Sequence, residues 1–169
     1  VDNGRVRAEA APITLDLSSE TPVRRGPVRS VDFDREIHVA FQRKDPPVDR
    51  DYIVATQILD VCQKTLVLNR PSSVITFNEK LLAVRFADLM PQTRVTRHIR
   101  ELREFMRLHG GQMIVKPLDG KGGEGIFHVV EDDRNLTSIL EQSTQFGKRS
   151  VMAQQYLPGA LQGRVFYQP

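Results

Sequence analysis

Residues 116–125 have the sequence Lys116-Pro117-Leu118-Asp119-Gly120-Lys121-Gly122-Gly123-Glu124-Gly125. Four of the last six positions are glycine, which lets the backbone approach a ligand closely and turn its amides toward it. Amides arranged in this way hold phosphate oxygens. The stretch therefore predicts a phosphate-binding loop, and a glycine-rich hairpin without a ligand is the alternative that these residues leave open.

The residues on either side predict that this loop joins two antiparallel strands, 112–118 and 126–130. A dinucleotide-binding loop would be followed by a helix, and a Walker loop needs Gly-Lys-Ser/Thr, whereas Gly122 follows Lys121 here. A kinase glycine loop has its lysine after the glycines, whereas Lys116 comes before them. What remains is a flexible flap between two strands, with a lysine at its start.

The rest of the second half predicts an α+β arrangement. A helix begins near Asn78 and ends at Pro91, strands cover 93–96 and 150–157, and helices cover 99–108 and 136–146. In the first of these helices we expect five apolar residues to face a core: Leu81, Leu82, Val84, Phe86 and Leu89. The last strand becomes irregular near Pro158, so its free amide and carbonyl groups can bind the edge of adenine, although these residues alone favour an ordinary strand end.

The first half predicts a fragment of parallel sheet. Buried strands at 37–41 and 66–68 flank a helix that Asp49 can cap, which is the βαβ order. Before them we expect a polar hairpin over 1–17, with its turn at Asn3-Gly4, and a surface loop over 18–34. The fold class is thus α/β, a partial parallel-sheet domain (1–72) followed by an α+β domain (73–169), with the boundary within 69–78.

Composition excludes several classes of function. Lys and Arg exceed Asp and Glu by only 24 to 21 and Trp is absent, so we expect no nucleic-acid partner. No apolar run reaches the length of a membrane span, so we expect no membrane association. The single Cys62 fits a reducing cytoplasm, and the four scattered histidines do not have the spacing of a zinc site. We find no nucleophile–base pair and no metal-ligating set, so the catalytic residues stay unassigned.

Two single lysines, Lys80 and Lys116, stand beside apolar runs and flank the flap. A lone lysine is usually solvated, but two beside one flap are better explained as clamps on the negative charge of a triphosphate. Removing such a charged hydrogen-bond partner weakens binding by roughly 1.5–3 kcal/mol.

Four segments, in order along the chain, resemble the bacterial glutathione synthetases, a family of ATP-grasp ligases. They are Arg43-Lys44-Asp45-Pro46-Pro47, Asn78-Glu79-Lys80-Leu81, Lys116-Pro117-Leu118-Asp119-Gly120 with the glycines after it, and Met152-Ala153-Gln154-Gln155-Tyr156-Leu157-Pro158. The first and third are the more specific to the family. The resemblance implies an N-terminal substrate domain, a lid subdomain, and ATP held between the lid and a C-terminal subdomain.

The resemblance also implies the reaction ATP + γ-glutamylcysteine + glycine → glutathione + ADP + phosphate, with Mg²⁺ and no covalent enzyme nucleophile. By position, the residues implied to contact ATP are Lys80, Lys116, Gly120, Gly122, Gly123, Gln155, Tyr156 and Leu157. Arg43 and Lys44 are implied to lie near the dipeptide. A homo-oligomer remains an open alternative.

The chain departs from the family at Lys121, which adds charge to the flap, and at Glu124, which removes it. After Pro158 the resemblance fades, although Arg164 can match a basic residue of the family. We therefore expect a chain truncated at both ends, with the magnesium ligands in a missing C-terminal portion and no turnover by itself. An inactive ATP-grasp fragment or interaction module, or another ATP-grasp carboxylate–amine ligase, stays an alternative.

Overall fold

The computed structural model describes residues 1–45, 47–120 and 122–159. The chain divides into two compact units, Val1–Phe77 and Asn78–Pro169. Within the described ranges, every helix is too short or too polar to cross a lipid bilayer.

The first unit begins with a tight turn and two antiparallel strand pairs. Asn3 and Gly4 have positive φ angles of 46° and 80°, and a bridge between Asp2 and Arg5 closes the predicted turn. Four strands follow: β1 (Arg7–Ala10), β2 (Ile13–Leu15), β3 (Val23–Arg25) and β4 (Arg29–Asp32). β1 pairs with β4, and β2 pairs with β3.

The predicted hairpin over 1–17 and surface loop over 18–34 are therefore wrong in their pairing. The strand after the first turn pairs with 29–32, so the stretch rich in Pro and Arg supplies two strands. Val6 and Val31 are buried, at 3% and 4% exposure. These two valines become buried where the chain folds back to pair β1 with β4. The many prolines and arginines nearby make this pairing difficult to recognise from the sequence.

The βαβ unit is confirmed. After the short helix α1 (Phe33–Glu36) come β5 (Val39–Phe41), α2 (Arg50–Asp60), β6 (Leu66–Leu68) and α3 (Pro71–Thr76). β5 and β6 are parallel, and the Asp49 carboxylate caps α2 by accepting from the backbone N–H of Tyr52 at 2.8 Å. The expected burial of these strands is wrong, because only one face of the two-stranded sheet is covered. Val67 is buried, whereas Phe41 is 71% exposed.

Asp34 ties α1 to the turn that precedes β6. Its carboxylate accepts from the backbone N–H groups of Gln63, Lys64 and Thr65 at 2.8–3.0 Å. Because these donors stabilise the charged form, they lower the pKa of Asp34 to about 2. The pKa of the nearby Cys62 thiol is raised, first by burial and then by the negative charge of Asp34.

The second unit is a four-stranded antiparallel sheet with helices. Its elements are α4 (Glu79–Ala83), a 3₁₀-helix (Val84–Leu89), β7 (Thr93–Thr96), α5 (Ile99–Leu108), β8 (Gln112–Pro117), β9 (Phe127–Val130), α6 (Leu136–Ser143) and β10 (Val151–Gln155). The strand order is β7-β10-β8-β9. The four strands and α5 confirm the prediction to within two residues at each end.

Strand alternation gives this sheet two different faces. One face packs against α5 and α6, in a buried cluster formed by Leu102, Phe105, Met106, Met113, Val115, Val129, Leu136, Leu140, Val151 and Ala153. The opposite face carries Lys116, His128 and Gln154, and we call it the polar face. The register of the strands places nine side chains there: Thr93, Val95, Gln112, Ile114, Lys116, His128, Val130, Met152 and Gln154. The polar face carries the only lysine within these four strands.

Two helix predictions in this unit are wrong in part. The five apolar residues expected to face a core between 81 and 89 are each at least 36% exposed. They cannot form one face, because α4 passes into the 3₁₀-helix and Phe86 has non-helical angles (φ −114°, ψ 47°). In addition, α6 ends at Ser143 rather than at 146, because Gln145 and Phe146 have positive φ.

Candidate functional site

The flap connects β8 and β9, which are adjacent antiparallel strands as predicted. Gly122 and Gly123 have φ angles of 58° and 86°, and no atom outside their neighbours lies within 4 Å of the place where a Cβ would stand. Gly120 is crowded instead, because a Cβ there would lie 2.6 Å from Pro117 Cγ and 3.0 Å from the Glu124 carbonyl oxygen. The loop therefore needs glycine for two reasons, backbone angle and close approach. Lys121 lies outside the described residues.

Asn78 and Lys80 fasten the start of α4 to the flap. The Asn78 Oδ1 caps the helix by accepting from the N–H groups of Lys80 and Leu81, and its Nδ2 donates to the Leu118 carbonyl at 2.9 Å. The Lys80 ammonium donates to the Gly120 carbonyl at 2.9 Å and pairs with Glu79 at 3.2 Å. Only 17% of the Lys80 side chain is exposed, so its charge is held against the glycine backbone.

Lys80 and the flap glycines line one cavity of about 180 Å³. Its lining residues are Glu79, Lys80, Pro117, Gly120, Gly122, Gly123, Glu124 and Ile126. Pockets for whole cofactors occupy roughly 300–1,000 Å³, so this one suits part of a ligand. A larger, open concavity of about 700 Å³ runs along α5, and none of the predicted site residues lines it.

Lys116 points onto the polar face rather than into the cavity. Its Nζ donates to Gln154 Oε1 at 2.5 Å. The pKa of Lys116 is lowered, first by burial and then by the positive charge of Lys80, so the two ammonium groups are close enough to repel. Both predicted lysines therefore lie in one electrostatic neighbourhood.

Gln154 is a residue that the sequence prediction missed. Its side chain is buried, and its Nε2 donates to Thr93 Oγ1 at 3.0 Å. Thr93 Oγ1 in turn donates to the Pro91 carbonyl at 2.7 Å. Strand alternation is the signal that could have found it, because Gln154 shares a face with Lys116 on the neighbouring strand.

The predicted adenine-binding residues follow the same strand. Gln155 is the last residue of β10, and its N–H donates to the Gln92 carbonyl at 2.8 Å. The ring of Tyr156 stacks on His128, with centroids 4.1 Å apart and planes 16° from parallel. His128 was assigned a structural role from the sequence, so this contact with a predicted site residue was missed. Leu157 is 45% exposed, and none of Gln155, Tyr156 and Leu157 lines the cavity.

Arg43 and Lys44, the predicted dipeptide contacts, belong to the first unit. Both are exposed and follow the carboxyl end of β5. They come directly after the buried Gln42, whose Nε2 donates to Thr56 Oγ1 at 2.6 Å. Pro46, which belongs to the same motif, lies outside the described residues.

In the part of the chain that the structure describes, no group of three or more His, Cys, Asp or Glu side chains is placed so that it could hold a metal ion. Two carboxylates, Glu79 and Glu124, line the cavity. Asp119, at the start of the flap, pairs with Arg149. Arg164 lies outside the described residues.

The two halves of the chain match two family profiles. Residues 1–74 match the profile described as "Prokaryotic glutathione synthetase, N-terminal domain", and residues 79–166 match "Prokaryotic glutathione synthetase, ATP-grasp domain".

Curated relatives bear the name of the same enzyme. Glutathione synthetase of Gloeobacter violaceus is 49% identical over 135 residues, which cover 76% of this chain and 41% of that protein. Glutathione synthetase of Salmonella typhimurium is 40% identical over 163 residues, covering 95% of this chain and 51% of that protein. This chain thus spans about half the length of the curated relatives it matches.

Solved structures support the fold. A RimK domain ATP-grasp protein from Sphaerobacter thermophilus has a TM-score of 0.52 at 23% identity, covering 72% of this chain and 46% of that one. The ATP-grasp ligase PsnB, complexed with a phosphomimetic variant of its minimal precursor, Mg and ADP, has a TM-score of 0.51 at 16% identity, covering 88% and 53%. The solved structures show an ATP-grasp α/β fold, and the two profile matches together with the curated relatives establish that this chain belongs to the prokaryotic glutathione synthetase family.

Proposed function

We propose that this chain binds MgATP under its flap and takes part in the ATP-dependent joining of γ-glutamylcysteine to glycine. Membership of the family supports the reaction, and the name of the curated relatives supports the substrates. The observation that carries the proposal is the contact between the Lys80 ammonium and the Gly120 carbonyl, both of which line the glycine-rimmed cavity.

The cavity suits the phosphate end of the nucleotide. A positive charge and several glycine amides border a space of about 180 Å³, which is too small for adenosine as well. The partly buried ammonium of Lys80 gains strength as a partner for phosphate because water is limited around it. We therefore assign Lys80, Gly120, Gly122 and Gly123 to the phosphates.

The base end of the nucleotide is assigned to the polar face and the chain after β10. Gln155, Tyr156 and Leu157 would form this part of the site, and Lys116 would contact the nucleotide between the base and the phosphates. One face of the Tyr156 ring stacks on His128, and a planar base can stack against the other face. Charge from Lys116 lies close enough to Lys80 to be shared with the phosphates.

This reaction requires stabilisation of negative charge on the phosphates and does not require a nucleophilic residue of the enzyme. The γ-glutamylcysteine carboxylate attacks the γ-phosphate of ATP, releases ADP and becomes an acyl phosphate. The glycine amine then attacks the carbonyl carbon of this acyl phosphate and releases inorganic phosphate. Lysines and backbone amides hold the negative charge that builds up on the transferred phosphoryl group. Arg43 and Lys44 are proposed contacts for the dipeptide carboxylates, and the single Cys62 fits a reducing cytoplasmic setting.

Magnesium bound to ATP would neutralise phosphate charge and orient the γ-phosphate. In the described residues the cavity has two carboxylates, Glu79 and Glu124, and these do not make a complete oxygen cage. For that reason we assign no magnesium ligand among the described residues.

The proposal is tested by titrating the chain with MgATP in a calorimeter. Lys80→Met keeps the length of the side chain but removes its charge, and we expect binding to weaken by roughly 10- to 100-fold, the usual effect of losing a charged hydrogen-bond partner. Lys148→Met is the matched control, because Lys148 is an exposed lysine of the same unit, and its affinity is expected to stay at the wild-type value. Equal affinities for wild type and Lys80→Met would remove the basis of the proposal.

A second candidate function is nucleotide binding without turnover by this chain alone. It is favoured by one observation, that the chain spans about half the length of its curated relatives. Measuring glutathione formation from γ-glutamylcysteine, glycine and MgATP separates the two. Product from the purified chain supports the complete reaction, whereas MgATP binding without product supports the second candidate.

A further inference from the structure

The three side chains Lys116, Gln154 and Thr93 form a hydrogen-bonded relay across β8, β10 and β7 whose direction is fixed at both ends. The Pro91 carbonyl can only accept, so the Thr93 hydroxyl donates to it and its oxygen is left to accept from Gln154 Nε2. The Lys116 ammonium can only donate, so it must meet Gln154 Oε1. Both ends therefore require the same orientation of the Gln154 amide.

The relay is sheltered from water. Gln154 is 8% exposed, and Lys116, on the same face of the sheet, is half-buried. In such surroundings a hydrogen bond to a charged group is stronger than in water, and an unpaired polar atom is costly. The Gln154 amide is therefore held in one orientation rather than free to rotate.

The acceptor offered to Lys116 is neutral. A carboxylate at position 154 would hold the ammonium equally well but would cancel its charge. An amide oxygen fixes the position of the ammonium and leaves its full positive charge for an anionic ligand. Nearby Lys80 carries a positive charge as well, so the two ammonium groups together attract an anion.

We propose that Thr93 and Gln154 are positioning residues for Lys116: they hold its ammonium in place, with its charge uncompensated, for contact with the nucleotide. This inference rests on the proposed function, since it requires that Lys116 contacts MgATP. Thr93 acts on Lys116 indirectly, through the Gln154 amide. A substitution of Thr93 therefore removes no direct contact with the lysine or with the ligand.

The test compares Thr93→Val with Thr93→Ser. Valine has nearly the shape of threonine but cannot hydrogen-bond, whereas serine keeps the hydroxyl. We expect MgATP to bind Thr93→Val about tenfold more weakly, and Thr93→Ser within about threefold of wild type. Titration of ¹³Cε-labelled lysines by NMR without nucleotide provides the second readout. There the pKa of Lys116 is expected to fall in Thr93→Val and to recover in Thr93→Ser.

A double-mutant cycle with Lys116→Met decides whether Thr93 acts through the lysine. In that background the effect of Thr93→Val on MgATP binding is expected to disappear, because coupled residues are not additive. Should the two effects add, or should Thr93→Val bind MgATP like wild type, the relay has no positioning role. If Lys116→Met itself leaves binding unchanged while Lys80→Met weakens it, the role of Lys116 is wrong although the phosphate site stands.

Gln154→Glu gives an independent check if Thr93→Val does not fold. The carboxylate is expected to raise the pKa of Lys116 and to weaken MgATP binding by about tenfold, because it competes with the ligand for the ammonium. A raised pKa with unchanged or tighter binding would contradict the proposal that an uncompensated charge is what the site requires.

Discussion

Asn78 uses both ends of its side-chain amide at once. The oxygen caps α4, and the nitrogen donates to the Leu118 carbonyl at the start of the flap. Aspartate is an equally good cap but lacks the donor. The two roles of this residue can therefore be separated by one substitution.

We expect Asn78→Asp to keep α4 but to loosen its attachment to the flap. Loss of one hydrogen bond lowers the free energy of unfolding by about 1 kcal/mol. Asn78→Ala removes the cap as well, which costs about 1 kcal/mol more. Urea unfolding of the two variants measures the difference. Identical stabilities for Asn78→Asp and Asn78→Ala would show that the cap contributes nothing.

Asp34 makes the stability of the first unit depend on pH. Its pKa is about 2 in the folded chain against an ordinary value of 3.8. A lowered pKa stabilises the fold fully above the ordinary value, and this contribution is lost as the pH falls toward 2.

The difference in melting temperature between wild type and Asp34→Ala is therefore expected to be constant down to about pH 4 and to shrink steadily between about pH 4 and pH 2. Glu20→Ala, at an exposed loop position, is the control and is expected to show no such narrowing. A difference in melting temperature that stays constant down to pH 2 would mean that the three backbone hydrogen bonds do not depend on the charge of Asp34.

For single residues, the sequence predicted a role where the residue type and its immediate neighbours suggest one. Lys80 and Lys116 stand out as single cations beside apolar runs, and the structure brings both into one neighbourhood. Gln154 and His128 do not stand out, because a glutamine or histidine in a strand has many ordinary roles. Their contacts depend on which residues the strand register places opposite them, which no local pattern encodes.

Among the structural elements, the flap can be tested by comparing one of its glycines with a glycine in the first unit. Gly122 and Gly4 both have positive φ, and both have open space where a Cβ would stand. Alanine at either position thus adds backbone strain of about 1 kcal/mol without a clash. Gly4 lies in the first unit, so it serves as a control for the strain itself.

We expect Gly122→Ala and Gly4→Ala to lower stability by similar amounts, while only Gly122→Ala weakens MgATP binding. Gly120→Ala is expected to weaken it further, because its Cβ would meet Pro117 Cγ at 2.6 Å and displace the flap. Thermal unfolding and calorimetry on the three variants measure both effects. Equal MgATP affinities for Gly122→Ala and Gly4→Ala would contradict a role for the flap amides.

Elements with strong periodicity were predicted well, and those without it were not. α5 has a clear apolar stripe with Leu102, Phe105 and Met106 buried, and its bounds match the prediction. β3 and β4 are three and four residues long and mostly exposed, so they show no alternation to detect. In short strands the pairing partner rather than the local sequence decides the structure.

For the molecule as a whole, the family follows from sequence segments, and the activity stays a proposal. The chain matches both domains of the family but spans about half the length of its curated relatives. The proposed substrate contacts of Arg43 and Lys44 have the least structural support, because these exposed residues belong to a different unit from the flap.

The central claim is that MgATP binds beneath the glycine flap, and amide NMR tests it most directly. Titration of the ¹⁵N-labelled chain with MgATP is predicted to shift the amide signals of Gly120, Gly122 and Gly123 together with that of Lys80. Saturating MgATP that leaves these four signals in place, or that shifts only residues along the α5 concavity, would contradict the account.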